Sequence, residues 1–244
     1  DPTKVFPPET CTDTLLPTHY TYQNTYYGTR FATGAGIYLR HIWHSTVPSF
    51  FSNPSNGQTA YAWTYVYSPK AQDVGAQIEF YTYSRSGSEK GPKAGQWDRR
   101  GSRIWLNDQE IPAPTWQQPE KNIKQDDAEI GLTNENLTAR EPVALHLNQG
   151  WNKVFIKLPH ANNGGTARDK WQFTFVITDT EGKNAVDGLI YSPDISATDS
   201  IPEDDNLPKL SNAKETFWYE FNTPKRNSLY PTSMGVDKAI IGKA

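Results

Sequence analysis

A chain of 244 residues, 36% hydrophobic and 21% charged, is long enough to bury one large core. Its net charge of −3 argues against nucleic-acid binding, which draws on a surplus of Lys and Arg. No stretch approaches the roughly 20 apolar residues of a membrane-spanning helix.

The chain opens at Asp1 without Met or a signal-peptide pattern, so it reads as a processed chain or a piece excised from a longer one. Residues 1–19 read as an extended lead-in. Cys11 is the single cysteine; it has no disulfide partner within the chain and no metal-ligand spacing around it. His41 and His44 flank Trp43, but on a strand they point to opposite faces and no HExxH follows. They read as core or surface histidines.

Alternation of period two begins at 59–67, where Tyr61, Trp63, Tyr65 and Tyr67 share one face and Ala60, Ala62, Thr64 and Val66 the other. The aromatic face is a platform for sugar rings or a surface packed under another sheet or a neighbouring domain. Packing is preferred, because so large an exposed apolar patch is a liability. Residues 76–83 place Ile78 and Phe80 opposite Gln77 and Glu79. After the turn at 87–95, Trp97 lies beside Asp98, Arg99 and Arg100, and Ile104 with Leu106 marks a strand over 102–108. Trp116 follows in a proline-rich loop. Trp97 and Trp116 supply aromatic rings, and Arg99 and Arg100 charged donors, which is the pairing that a sugar site requires. These four residues are therefore the candidate carbohydrate-binding set.

The run Asp126, Asp127, Glu129 lacks the alternating oxygens and glycine of an EF-hand and reads as a solvated loop. Within "LNQGWNKVFIKLP" (147–159), Gly150 relieves a turn and Trp151 is expected to seal the end of a sandwich. Val154, Ile156 and Leu158 are assigned to the core, Lys153 and Lys157 to water, and Pro159 is expected to stop the strand. Residues 171–178 line one side with Trp171, Phe173, Phe175 and Ile177. Helical periodicity is nearly absent, so the fold class is all-β, an antiparallel sandwich or jelly roll.

Composition shifts after Pro193. Residues 194–212 are acidic, poor in aromatics and broken by prolines, as in a linker. Residues 213–244 are about thirty, too few for a core of their own, and read as the truncated start of a further β module or a packed tail. The expected division is a β-sandwich domain over 1–193, then linker, then tail. No GxSxG, GxGxxG or P-loop occurs, and no cofactor or metal motif stands out.

Several stretches resemble a known family: "ATGAGIYLRHIW" (32–43), "AYAWTYVYSPKAQDVG" (60–75), "WDRRGSRIWLNDQEIPAPTW" (97–116), "EIGLTNENLTAREPVALHLNQGWNKVFIKLP" (129–159) and "AVDGLIYSP" (185–193). They are similar to the C-terminal, galactose-binding-like β-sandwich of bacterial family 20 glycoside hydrolases, the β-N-acetylhexosaminidases. The resemblance covers residues 20–193. It implies a non-catalytic C-terminal accessory module of a secreted, periplasmic or cell-surface enzyme, with an upstream catalytic barrel as its partner. It also implies contact with glycans that contain N-acetylhexosamine. The family's catalytic Asp-Glu pair does not carry over, since the chain contains no Asp-Glu dipeptide. Two roles remain open: a carbohydrate-binding module, or a structural spacer that packs on the barrel. Exposed rings at Trp97 or Trp116 favour the first and burial of both favours the second.

Overall fold

The computed structural model of the chain describes residues 3–11, 13–29, 36–40, 57–80, 92–116, 142–160, 171–193 and 195. The expected linker, apart from Ile195, and the expected tail lie outside the described residues, as do His41, His44, Asp126, Asp127 and Glu129.

A 3-10 turn at Pro7–Thr10 precedes eleven strands among the described residues: β1 (His19–Tyr22), β2 (Thr25–Gly28), β3 (Gly36–Arg40), β4 (Gln58–Ser68), β5 (Gln72–Glu79), β6 (Arg103–Leu106), β7 (Gln109–Glu110), β8 (Val143–Leu147), β9 (Gly150–His160), β10 (Trp171–Thr178) and β11 (Ile190–Ser192). No α-helix occurs among the described residues. The strands form a hairpin β1-β2, a four-stranded sheet β3-β10-β5-β8 and a five-stranded sheet β11-β4-β9-β6-β7. Every pairing among them is antiparallel. The fold is an all-β antiparallel sandwich.

Alternation builds its core. From the four-stranded sheet come Val74, Ala76 and Ile78 of β5, Leu145 and Leu147 of β8, and Trp171 and Phe173 of β10. Val66, Ile104, Leu106, Val154, Ile156 and Leu158 come from the five-stranded sheet. The β4–β9 pairing is the longest, running from Gln58↔His160 to Ser68↔Gly150. β5 starts four residues before the expected strand, because Asp73 and Gly75 on its outward side interrupt the hydrophobic signal. β8 is too short for a clear sequence signal, although Leu145 and Leu147 alternate with His146.

β9 corrects three expectations. Val154, Ile156 and Leu158 face the core as expected, but Lys153 and Lys157 do not face water: both are buried on the outer side of the sheet. Trp151 lies on that side as well, edge-on to Tyr67 at 5.5 Å, rather than sealing the sandwich. The reason is strict alternation, which sends 151, 153, 155 and 157 outward together into a surface that the chain itself covers. Pro159 does not stop the strand, which continues to His160. There β4 still pairs with it, whereas the pairing with β6 reaches only Lys157, so among the described residues one side of the strand is already without a ladder.

Asn152 ties the end of this sheet together. Its Oδ1 accepts from Asn107 Nδ2 at 2.8 Å and from the Asn148 N–H at 2.9 Å. Its Nδ2 donates to the carbonyls of Asn148 (2.8 Å), Gly150 (3.1 Å) and Val66 (3.3 Å). Asn107 and Asp108 form the β6–β7 turn with φ of 50° and 64°, the left-handed conformation that a two-residue hairpin demands. Asn107 Oδ1 also accepts from the Lys153 N–H at 2.9 Å. The "LND" and "NQGWN" segments are therefore two halves of one hydrogen-bonded joint.

Candidate functional site

The segment Gln96–Ser102 folds against the core below β6. Asp98 holds it: Oδ1 accepts from the N–H groups of Arg100 and Ser102, both at 2.9 Å, and Oδ2 accepts from Ser102 Oγ at 2.7 Å. This turn directs the preceding Trp97 inward. Trp97 is 3% exposed, meets Phe80 edge-on at 5.5 Å, and donates Nε1–H to the Ile111 carbonyl at 3.1 Å. Trp116 is 6% exposed and donates Nε1–H to the Gln96 carbonyl at 2.8 Å. Arg99 is exposed and Arg100 half-buried. Trp116 bonds the residue next to Trp97, but both rings are packed and both indole N–H groups are spent on backbone. Neither presents a free face for stacking on a sugar ring.

The aromatic stripe of β4 leads to a different place. Tyr61, Trp63, Tyr65 and Tyr67 occupy the outer face of the five-stranded sheet. Opposite Trp63 stands Phe155, which is paired in turn with Trp105. The Tyr61 and Phe155 rings stack at 5.5 Å with 15° between planes. Arg103 lies over the Trp105 ring at 4.8 Å and forms a forked ion pair with Glu110 through Nε (2.8 Å) and a terminal nitrogen. Each of these two holds the other charged, so the Arg103 pKa is raised and that of Glu110 lowered, mainly through their hydrogen bond.

Residues 3–11 and 13–16 cross this face. Leu16 N–H donates to Tyr65 Oη at 2.8 Å, and Tyr65 Oη donates to the Thr14 carbonyl at 2.9 Å. Lys153 Nζ reaches the Asp13 carbonyl at 3.4 Å and pairs with Asp108 at 2.8 Å. Phe6 packs edge-on to Tyr22 at 5.4 Å and near Tyr61 at 6.5 Å, with Lys4 Nζ 5.2 Å from the Phe6 and Tyr22 ring centres. At the centre is an ion pair: Lys157 Nζ lies 2.8 Å from Glu9 Oε1, with side chains 1% and 7% exposed. Lys157 also donates to the Lys4 carbonyl at 2.7 Å. Glu9 Oε1 accepts from Tyr61 Oη at 2.5 Å and from the Phe6 N–H at 3.2 Å. Burial, then the hydrogen bond to Glu9, then its charge push the Tyr61 phenol well above its ordinary pKa.

Chemically, a cation and a phenol on two paired strands face one oxygen of the Glu9 carboxylate. Sequence reading missed it because the partners lie 148 residues apart. The available signal was the outward side of β9, which carries Lys157 opposite Tyr61 of the aromatic stripe. Among the described residues, no group of three or more His, Cys, Asp or Glu is placed to hold a metal ion, and no helix is long and apolar enough to cross a membrane. Compared with models of known families, with curated proteins and with solved structures, the chain matches none.

Proposed function

We propose that this chain is a non-catalytic accessory β-sandwich of a family 20-like glycoside hydrolase, and that it serves as a spacer packed on the catalytic barrel. The observation that supports the spacer over the sugar-binding role is the burial of Trp97 and Trp116, each with its indole N–H on a backbone carbonyl. A stacking site needs an open ring face beside polar groups, and the candidate set offers charged groups without one. The parent enzyme, on this reading, is secreted, periplasmic or cell-surface. The chain's partner is the upstream barrel of the same polypeptide.

Two measurements test this. The first is calorimetric titration of the chain with N-acetylglucosamine oligomers, together with an assay on a chromogenic β-N-acetylglucosaminide. No heat of binding and only background hydrolysis are expected. Saturable binding abolished by Trp97→Ala or Trp116→Ala, with the fold intact, would restore the carbohydrate-binding role, and turnover would overturn the non-catalytic one. The second is the coding sequence upstream of Asp1. A barrel bearing an adjacent Asp-Glu pair is expected there, and an unrelated domain overturns the parentage.

A further inference from the structure

Residues 14–29 contain no Asp, Glu, Lys or Arg, in a chain that is 21% charged. They carry the β1–β2 hairpin, whose strands pair only with each other among the described residues. Gln23 and Asn24 turn it with φ of 49° and 60°, the left-handed pair that a tight hairpin needs. The register places Tyr20, Tyr22 and Tyr27 on one face and His19, Thr21 and Tyr26 on the other. Phe6 packs on Tyr22 of the first face. The second face is open. Tyr26 is 68% exposed, yet its ring is held in place, stacked on His19 at 5.3 Å and lying over Gly28. Val5, Leu15 and Tyr27 are exposed as well, and the other exposed large hydrophobic residue among those described is Tyr191. An uncharged surface rich in tyrosine is the composition of the buried centre of a protein interface. A hairpin with no charge to guard its edges is also one that natural proteins cover.

We propose that the His19–Tyr26 face of this hairpin is where the upstream domain docks, an inference that rests on the accessory-module reading above. Two observations select that occupant over a second copy of this chain. The N-terminal residues run beside the hairpin, with Lys4 Nζ 5.2 Å from the Tyr22 ring centre and the Phe6 ring 5.4 Å from it. A domain joined ahead of Thr3 is thus tethered next to the hairpin, at an effective concentration of roughly 1 mM. Size points the same way. Strands of four residues present a face of about 14 Å by about 10 Å. That is far below the ~800 Å² per partner of a stable dimer, whereas a tethered domain needs no such area. The matching patch on the upstream domain is apolar, with acceptors for the Tyr26 and Tyr27 hydroxyls.

Tyrosine iodination reads the face directly, in the 244-residue chain and in the longer polypeptide that carries its upstream sequence. Tyr26 and Tyr27 should label readily in the first. In the second, a contact of ~0.1 mM affinity under a tether of ~1 mM is closed about ten times as often as open, so their labelling should fall about tenfold. Tyr191, 42% exposed in β11, should label equally in both. Tyr26→Lys should return Tyr27 in the longer polypeptide to its rate in the chain alone. The same change should move the melting temperature of the chain alone by no more than about 2 °C. Equal labelling of Tyr26 in both forms, with a folded domain upstream, would overturn the docking face and leave the accessory reading standing, as would a Tyr27 that stays protected in Tyr26→Lys. An upstream sequence that encodes no domain would overturn both. Protection in the chain alone that is lost on dilution would assign the face to a second copy and overturn the proposal.

Discussion

Asn152 shows how much one side chain carries here. It is 0% exposed, and its amide serves two donors and three carbonyls drawn from β4, β6–β7 and the turn before β9. Truncation strands several of these groups away from water, and the penalty for an unsatisfied buried group exceeds the gain from making the bond. Asn152→Ala is therefore expected to lower stability by about 2–4 kcal/mol in urea unfolding. A loss below about 0.5 kcal/mol, the scale of an ordinary surface change, would contradict the joint described above. The same residue explains why "GWN" follows "LND" at a distance: the two segments supply each other's hydrogen bonds.

At the scale of elements, two glycines separate steric from conformational demand. Gly75 lies in β5, between β10 and β8. A Cβ there would meet the Asp179 carbonyl oxygen at 2.5 Å, Pro142 Cβ at 2.9 Å and Thr178 Oγ1 at 3.0 Å. One neighbour is backbone and another is a proline ring, so neither yields readily. Gly150 opens β9 with φ of +93° and has open space around it. Gly75→Ala should destabilise by about 1–3 kcal/mol through overpacking, and Gly150→Ala by about 1 kcal/mol through its dihedral alone. Urea midpoints at unchanged m-value should rank Gly75→Ala as the worse, and the opposite ranking would show that the 179–184 loop moves freely away from β5.

For the molecule as a whole, the N-terminal residues and the hairpin beside the five-stranded sheet make stability sensitive to alkali. Burial first, then the neighbouring Cys11, Tyr65 and Asp13, raise the Tyr20 pKa to about 12. Tyr61 is raised further, by burial and by Glu9. Both shifts are upward from the unfolded value, so the unfolded chain releases these protons first. Their contribution is complete below the unfolded pKa of about 10 and is lost as pH rises toward the folded value. The urea midpoint should fall between about pH 10 and 12, and Tyr61→Phe should flatten part of that fall. A midpoint that falls equally steeply in Tyr61→Phe would remove Tyr61 as a cause.

Local pattern by itself determined the fold class and most of the inner face. Period-two alternation is a property of the strand backbone, so Ile104, Val154, Ile156 and Leu158 could be assigned to one side before any partner was known. Gly150 was legible for the same local reason, since its turn requires a conformation that glycine accepts. What lies over the outer faces was decided only by tertiary structure. Alternation sends Lys153 and Lys157 outward but does not say that outward is water, and residues 3–11 and 13–16 return across the sheet to bury them. Trp97 and Trp116 belong to the same class of error. Loop position suggested open rings, whereas the Asp98 turn and the carbonyls of Ile111 and Gln96 draw both indoles inside. Burial of a side chain depends on which distant segment covers it, and the Glu9–Lys157 pair, 148 residues apart, is that dependence in one contact.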